Sequence, residues 1–326
     1  MNKSIVLAAS LLALLLLTVL SVRVGAVPVP FGDIGSTLLG EPNKSYFIVH
    51  DVRLPRVLVA ILAGMGLAVG GVILQGLVRN PLASPDVIGI TKGAGFAAAA
   101  LIFLFPGAPG YALPMAAFAG ALAAFAILLG LSRRLTLSPS ALALTGIAVG
   151  AVFQAGTQYL IVSHPADVSM ALLWMTGSLW SRRWKDVLTL LPWIVVLVPL
   201  VWRLYPKLNV LQFGDETVTS LGVNLRGERL LLLLLAVALA GISVSAVGAI
   251  GFIGLVAPHI ARSLVGAKHQ WLIPVAALLG ADLMLLGDAV GRIVIIPREV
   301  PVGIMTAVIG APYFIYLLQK ERWKLR

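Results

Sequence analysis

The side chains that usually carry catalysis are sparse in this sequence. Its four histidines (His50, His164, His259 and His269) are scattered, and it has no cysteine. Metal centres need ligands at short, regular spacing, and thiolate chemistry needs a thiol. No metal site, cofactor or nucleophilic cysteine is therefore expected. Nothing matches G-x-x-x-x-G-K-[ST], the loop whose amides cradle nucleotide phosphates, and no enzymatic centre is expected. What remains is charge placed inside apolar sequence, where a carboxylate can couple ions or pair with a cation. Asp282 and Asp288 are of this kind. Asp288 stands four residues before Arg292, the spacing of a helix ion pair. Asp282 has no evident partner; a position facing other helices or water is expected, with ion coupling as the alternative.

One polar segment stands apart, "LNVLQFGDETVTSLGVNLRGERL" at 208–230. Asp215 and Glu216 open a short helix, where negative charge suits the helix dipole. Gly222 ends it as a C′ glycine would. A second short helix is predicted from about Leu225. The segment reads either as an amphipathic connector or as a docking surface for a partner.

The elements that must position these residues follow from composition. Of 326 residues 60% are hydrophobic and 11% are charged, against roughly 25% charged in soluble domains. Mean hydropathy is +1.01. The chain is read as an all-α polytopic membrane protein forming one domain over residues 1–326, in contact with the lipid bilayer. The net charge of +11 is assigned to topology signals flanking spans. No basic stripe interleaved with aromatics suggests nucleic acid. Because backbone groups in lipid must be satisfied within the segment, the spans are helices. Ten are predicted: 4–22 (retained rather than cleaved), 57–78, 88–105, 111–131, 140–162, 187–202, 230–249, a short one at 251–265, 271–288 and 301–318. Ten crossings put both termini on one side. Lys and Arg, including Arg79, Arg133, Arg134, Arg203, Arg226 and Arg326, are more numerous on that side, which makes it cytoplasmic.

A weak internal repeat relates helices 2–5 to helices 7–10. "LAGMGLAVGGVILQGLVRNP" (62–81) resembles "LAGISVSAVGAIGFIGLVAP" (239–258). Repeated halves place a substrate path at the repeat interface. Glycine pairs four apart (Gly66/Gly70, Gly146/Gly150, Gly287/Gly291) predict close helix crossings.

Several ordered stretches carry a family resemblance: "RLPRVLVAILAGMGLAVGGVILQGLVRNPLASPDVIGITKGAG", "GDETVTSLGVN", "GAIGFIGLVAPHIARSLVG" and "PREVPVGIMTAVIGAPYFIYLL". Together they resemble the permease subunits of type II ABC importers for iron–siderophores, haem and cobalamin. The resemblance implies a permease translocating an iron(III)–siderophore across a bacterial or archaeal cytoplasmic membrane. Its partners would be two ABC ATPase subunits, an extracytoplasmic substrate-binding protein and a second permease subunit, identical or paralogous. A haem or cobalamin permease and an ion-coupled secondary transporter are the alternatives. By the same resemblance Asn80, Leu82 and Ser140 match a cytoplasmic gate, and Arg53, Arg56 and Arg292 match positions that dock the binding protein. Gly214, Asp215, Glu216, Ser220, Leu221 and Gly222, within a segment of about 208–229, match the coupling surface for the ATPase. The fifth and tenth helices would line the path. Pro81 and Pro85 stop helix two and fix the turn after it, and Gly89, Gly93 and Gly95 would let the next helix pack closely. Arg298 and the basic run at 181–185 have no counterpart in that pattern.

Overall fold

Long runs of Ala, Leu, Val and Gly without charge leave the backbone one way to satisfy its own polar groups in lipid, the α-helix. A computed structural model of the chain describes residues 2–25, 27–132, 138–165 and 168–324, and of residues 317, 318 and 320–324 the backbone alone. Arg133, Arg134 and Arg326 of the topology count lie outside the described residues. All regular structure among those described is helical: α1 Lys3–Arg23, α2 Phe31–Leu38, α3 Leu54–Val78, α4 Ile90–Leu104, α5 Ala112–Ser132, α6 Pro139–Ser163, α7 Val168–Met175, α8 Trp184–Arg203, α9 Tyr205–Val210, α10 Asp215–Ser220, α11 Leu225–Val247, α12 Ile253–Val265, α13 His269–Gly291 and α14 Val302–Lys324. Seven (α1, α3 with the π-helical turn Ile48–Arg53 before it, α5, α6, α8, α11 and α13) are long and apolar enough to cross a membrane. The apolar helices α4, α12 and the first part of α14 are shorter. Apolar helices thus occupy the positions of all ten expected spans in their expected order, seven of them at membrane-crossing length.

The centre of the molecule is α3. It is apolar on all sides and buried along nearly its whole length, as such a helix must be inside a bundle. It packs against α11, α12, α13 and α8. The other half mirrors this arrangement, because α11 packs against α3, α4, α5 and α8. The equivalent glycines of the two LAG motifs hold equivalent crossings. A β-carbon on Gly64 would strike the Gly280 carbonyl of α13, and one on Gly241 would press on Phe118 and Ala121 of α5. Two short helices, α4 and α12, follow the long first helices of the two halves after non-helical stretches. The repeat is thus expressed as a two-fold pattern of packing.

The three glycine pairs each sit at a close approach, although Gly146 and Gly150 meet the backbone of the turn before α4 rather than that of a helix. Gly66 and Gly70 face α11, Gly146 and Gly150 face Ile88 and Gly89, and Gly287 faces α14 while Gly291 abuts Val300 just before it. Gly93 packs on Gly120 and Ala124 of α5, but Gly95 faces open space rather than a neighbouring helix. Gly89 has φ +84°, a conformation that costs a residue with a β-carbon. It turns the chain into α4 directly against the α6 backbone.

The packing gives the molecule two ends. The start of α3, the end of α13 and the end of α1 meet at one end, through contacts described below. The end of α3, α9, α10, the start of α11 and the start of α13 gather at the other. α14 begins beside the end of α13, with Gly287 against Val302 and Thr306. It runs back towards the α9–α10 end, where α1 also begins.

Candidate functional site

At the α9–α10 end the chain leaves α3 through Arg79, which has φ +52°. The next residues are "NPLASP". Asn80 is exposed, and its Oδ1 accepts from the Leu82 amide at 2.9 Å, closing a tight polar turn. Leu82 is half-buried. Ser140 is exposed in the first turn of α6, after Ser138 has capped the helix by accepting from the Ala141 amide at 3.3 Å. Six residues on, Gly146 meets the Ile88 backbone, so α6 runs alongside the loop that carries Asn80 and Leu82.

The residues that the resemblance matched to a coupling surface form a compact unit beside this loop. Asp215 and Glu216 open α10, as expected. Gly222, at φ +72°, ends it: its amide donates to the Thr219 carbonyl at 2.9 Å and the Val223 amide to the Val218 carbonyl at 3.4 Å. Those two bonds are the Schellman closure that a C′ glycine permits. Gly214 precedes the helix at φ +95°. Val218 is fully buried and pins the helix to the body, whereas Phe213, Glu216, Ser220 and Leu221 are exposed. One expectation is corrected here. No second short helix follows, because Leu225 opens the long span α11, with Asn224 as its cap accepting from the Gly227 amide at 3.1 Å.

Sequence reasoning missed what fixes this unit. Asp215 is gripped by two arginines, one just past the end of α3 and one in α11. Arg229 of α11 donates from Nη2 to Oδ1 at 2.7 Å and from Nη1 to Oδ2 at 3.0 Å. Arg79 donates to Oδ1 at 2.6 Å and to the Leu211 carbonyl at 2.9 Å. Burial alone would raise the Asp215 carboxyl, but the hydrogen bonds and charges of Arg229 and Arg79 hold it below its ordinary value. Lys207 of α9 adds a bond of 2.7 Å to Glu228. The residue before Asn80 and the first residue of α10 are therefore joined directly. The available signal was the position of Arg79 beside the loop, but nothing in sequence paired it with residue 215.

At the opposite end Arg53, Arg56 and Arg292 come together, all under 10% exposed. Arg53 donates from Nη1 to the carbonyls of Val22 and Arg23, each at 2.7 Å, and from Nη2 to the Val27 carbonyl. Arg56 holds Asp288 at 2.8 Å and Glu299 at 2.8 Å. Arg292 makes the expected pair with Asp288, at 3.1 Å, and donates to the Val24 carbonyl at 2.6 Å. Each guanidinium is thus spent largely inside the chain, tying the end of α1 to α3 and α13. The exposed cations at this end include Arg23, Lys44, Arg183, Lys185 and Arg298. Arg298 and Glu299 line a cleft of about 470 Å³ with Arg56 at its floor, and Arg183 and Lys185 line another of about 650 Å³. Between the two ends, Asp282 is buried in α13, and its Oδ1 has no hydrogen-bond partner among the described residues.

Known proteins share this architecture. A family model for the FecCD transport family matches residues 13–320. The chain is 52% identical over 311 residues to the Fe(3+)-citrate import system permease protein YfmE of Bacillus subtilis (strain 168), covering 95% of this chain and 93% of that protein. It is 44% identical over 311 residues to the Fe(3+) dicitrate transport system permease protein FecD of Escherichia coli (strain K12), covering 95% and 97%. A solved metal-chelate type ABC transporter in an inward-facing conformation superposes with a TM-score of 0.86 at 31% identity, over 98% of this chain and 100% of that one.

Proposed function

The chain belongs to the FecCD transport family, and from that premise we propose that it is the membrane permease of a binding-protein-dependent ABC importer for an iron(III) chelate of the siderophore class. ATP is hydrolysed by two partner ATPase subunits, and the substrate arrives on an extracytoplasmic binding protein. A second permease subunit completes the path. The protein sits in a bacterial cytoplasmic membrane with both termini and α10 on the cytoplasmic side. The observation that carries this reading is the identity to two ferric-citrate permeases over 95% of the chain.

The geometry supports a division of labour between the ends. The exposed face of α10, with Glu216, Ser220, Leu221 and Phe213, is the surface for the ATPase. Gly214 and Gly222 set the helix in place at either side. A push on α10 reaches the Asn80–Leu82 loop through Asp215 and Arg79, and Ser140, exposed in the first turn of α6, is the other part of the cytoplasmic gate. Arg53, Arg56 and Arg292 shape the docking face from beneath, while Arg183, Lys185 and Arg298 present the charge that steers the binding protein.

The test is uptake of radiolabelled ferric chelates, siderophores and citrate included, in iron-limited cells lacking this chain. Loss of uptake in the deletion and rescue by the wild-type gene are expected. Undiminished uptake of every ferric chelate in the deletion overturns the proposal and leaves haem and cobalamin to be tried. Collapse of the membrane potential separates the ion-coupled alternative: uptake that stops with the potential while ATP remains, and that also needs Asp282, identifies a secondary transporter.

A further inference from the structure

Between α4, α6, α7 and the stretch joining α11 to α12 lies a cavity of about 290 Å³ that none of the roles above uses. Lys92 lines it, half-buried in the first turn of α4. Its stem lies over Gly150 of α6, with Cδ and Nζ 3.0 and 3.7 Å from where a β-carbon on that residue would sit. The ammonium makes no hydrogen bond or ion pair among the described residues. A cation in the first turn opposes the helix dipole, and an intramembrane charge without a partner is costly. Nothing in the fold repays that cost, so the position calls for an anion from outside the chain.

The other walls agree. Gln154 and Thr157 of α6 face the cavity, as do residues 249–251 of the unwound stretch. No acceptor is found among the described residues for the amides of residues 249–252. Gly95 contributes empty space where a side chain would intrude. The one carboxylate, Asp86, is exposed and is held by the Thr91 hydroxyl at 2.7 Å rather than by Lys92. Lysine, a primary amide and backbone N–H groups without an acceptor in the link between two membrane helices form a donor set suited to a carboxylate.

We propose that this cavity receives a carboxylate of a net-negative iron chelate as it crosses, and that Lys92 favours polycarboxylate chelates over neutral ones. The proposal rests on the importer reading above. It is tested with the assembled importer, ATPases and binding protein included, in liposomes, by uptake of radiolabelled ferric citrate and of a neutral ferric hydroxamate. Lys92→Gln is expected to lower ferric citrate uptake at least about tenfold, the worth of a charge-assisted contact, and Lys92→Arg to lower it by less. Gln154→Glu, which supplies Lys92 with a counter-charge inside the cavity, is expected to lower it similarly and is read if Lys92→Gln does not assemble. Wild-type rates in either Lys92→Gln or Gln154→Glu overturn the proposal. Transport of the hydroxamate but not of citrate by the wild type also overturns it while the importer reading stands. Transport of no ferric chelate at all by the wild type overturns both.

Discussion

Asp215 occupies an unusual position for a residue more than a third exposed, because two guanidiniums from separate helices converge on it. Its carboxyl is held below the ordinary value. Such a group contributes stability above its unfolded pKa, about 3.9, and loses it as pH falls through the folded value. The protection of α10 amides, corrected for intrinsic exchange, is therefore expected to stay level from neutral pH to about 4 and to fall only below that. Loss of protection already at pH 6 would contradict the assignment. Asp215→Asn keeps the shape and removes the charge. It is expected to cut chelate uptake by about tenfold, from the loss of charged hydrogen bonds, while ATP hydrolysis by the assembled complex continues. At the other end Asp288 sits between two buried arginines. Asp288→Asn leaves Arg56 with Glu299 as its one counter-charge and Arg292 with the Val24 carbonyl, at a cost of about 3 kcal/mol, visible as a lower unfolding temperature of the purified protein. Glu299→Gln, a partly exposed partner, is expected to cost less than about 1 kcal/mol.

Among the helices, the glycines separate those that permit contact from those that leave room. Gly93 and Gly95 lie two residues apart in α4, so the helix turns them towards different surroundings. A β-carbon at Gly93 meets the Gly120 carbonyl and the Ala124 side chain at 2.6 Å, whereas one at Gly95 meets nothing within 4 Å. Gly93→Ala is expected to cost about 1–3 kcal/mol through overpacking and to reduce the folded yield. Gly95→Ala is expected to leave that yield unchanged. Just past the end of α10, Gly222→Ala forces a left-handed residue with a β-carbon, at about 1–2 kcal/mol. Because α10 is only six residues long, that amount is expected to open its last turn, read as faster exchange of the amides of residues 218–222.

Taken whole, the molecule is two half-bundles that share the α3–α11 contact as their axis. α6 leaves one face uncovered: Leu144, Ala148, Ala151, Ala155 and Gln158 are exposed at helical spacing. If this face borders the path, cysteines placed at Ala151 or Gln158 will react with a water-soluble maleimide in the assembled complex. A cysteine at Leu15 on the exposed face of α1 will react far more slowly, because lipid covers it. The chain has no cysteine of its own, so each variant reports one position. Equal reactivity at all three would place α6 against lipid instead.

The ten apolar helices, their order and the close glycine contacts were legible in the sequence because lipid removes the alternatives. An uncharged run of sufficient length must be a helix, and small residues four apart must lie on one face of it. The short α10, its closure at Gly222 and the Asp288–Arg292 pair were legible for the same reason, since each depends on neighbours within one or two turns. The rest belonged to the tertiary structure. Sequence could place Arg53, Arg56 and Arg292 at one end but not show that they turn inward onto carbonyls of residues 22–27, Asp288 and Glu299. It could not bring Arg79 and Arg229 together on Asp215, or set Lys92 on one cavity with residues 249–251. These arrangements join residues separated by tens to hundreds of positions, and only the packing of α3 against α11, α12 and α13 determines which distant side chains come together.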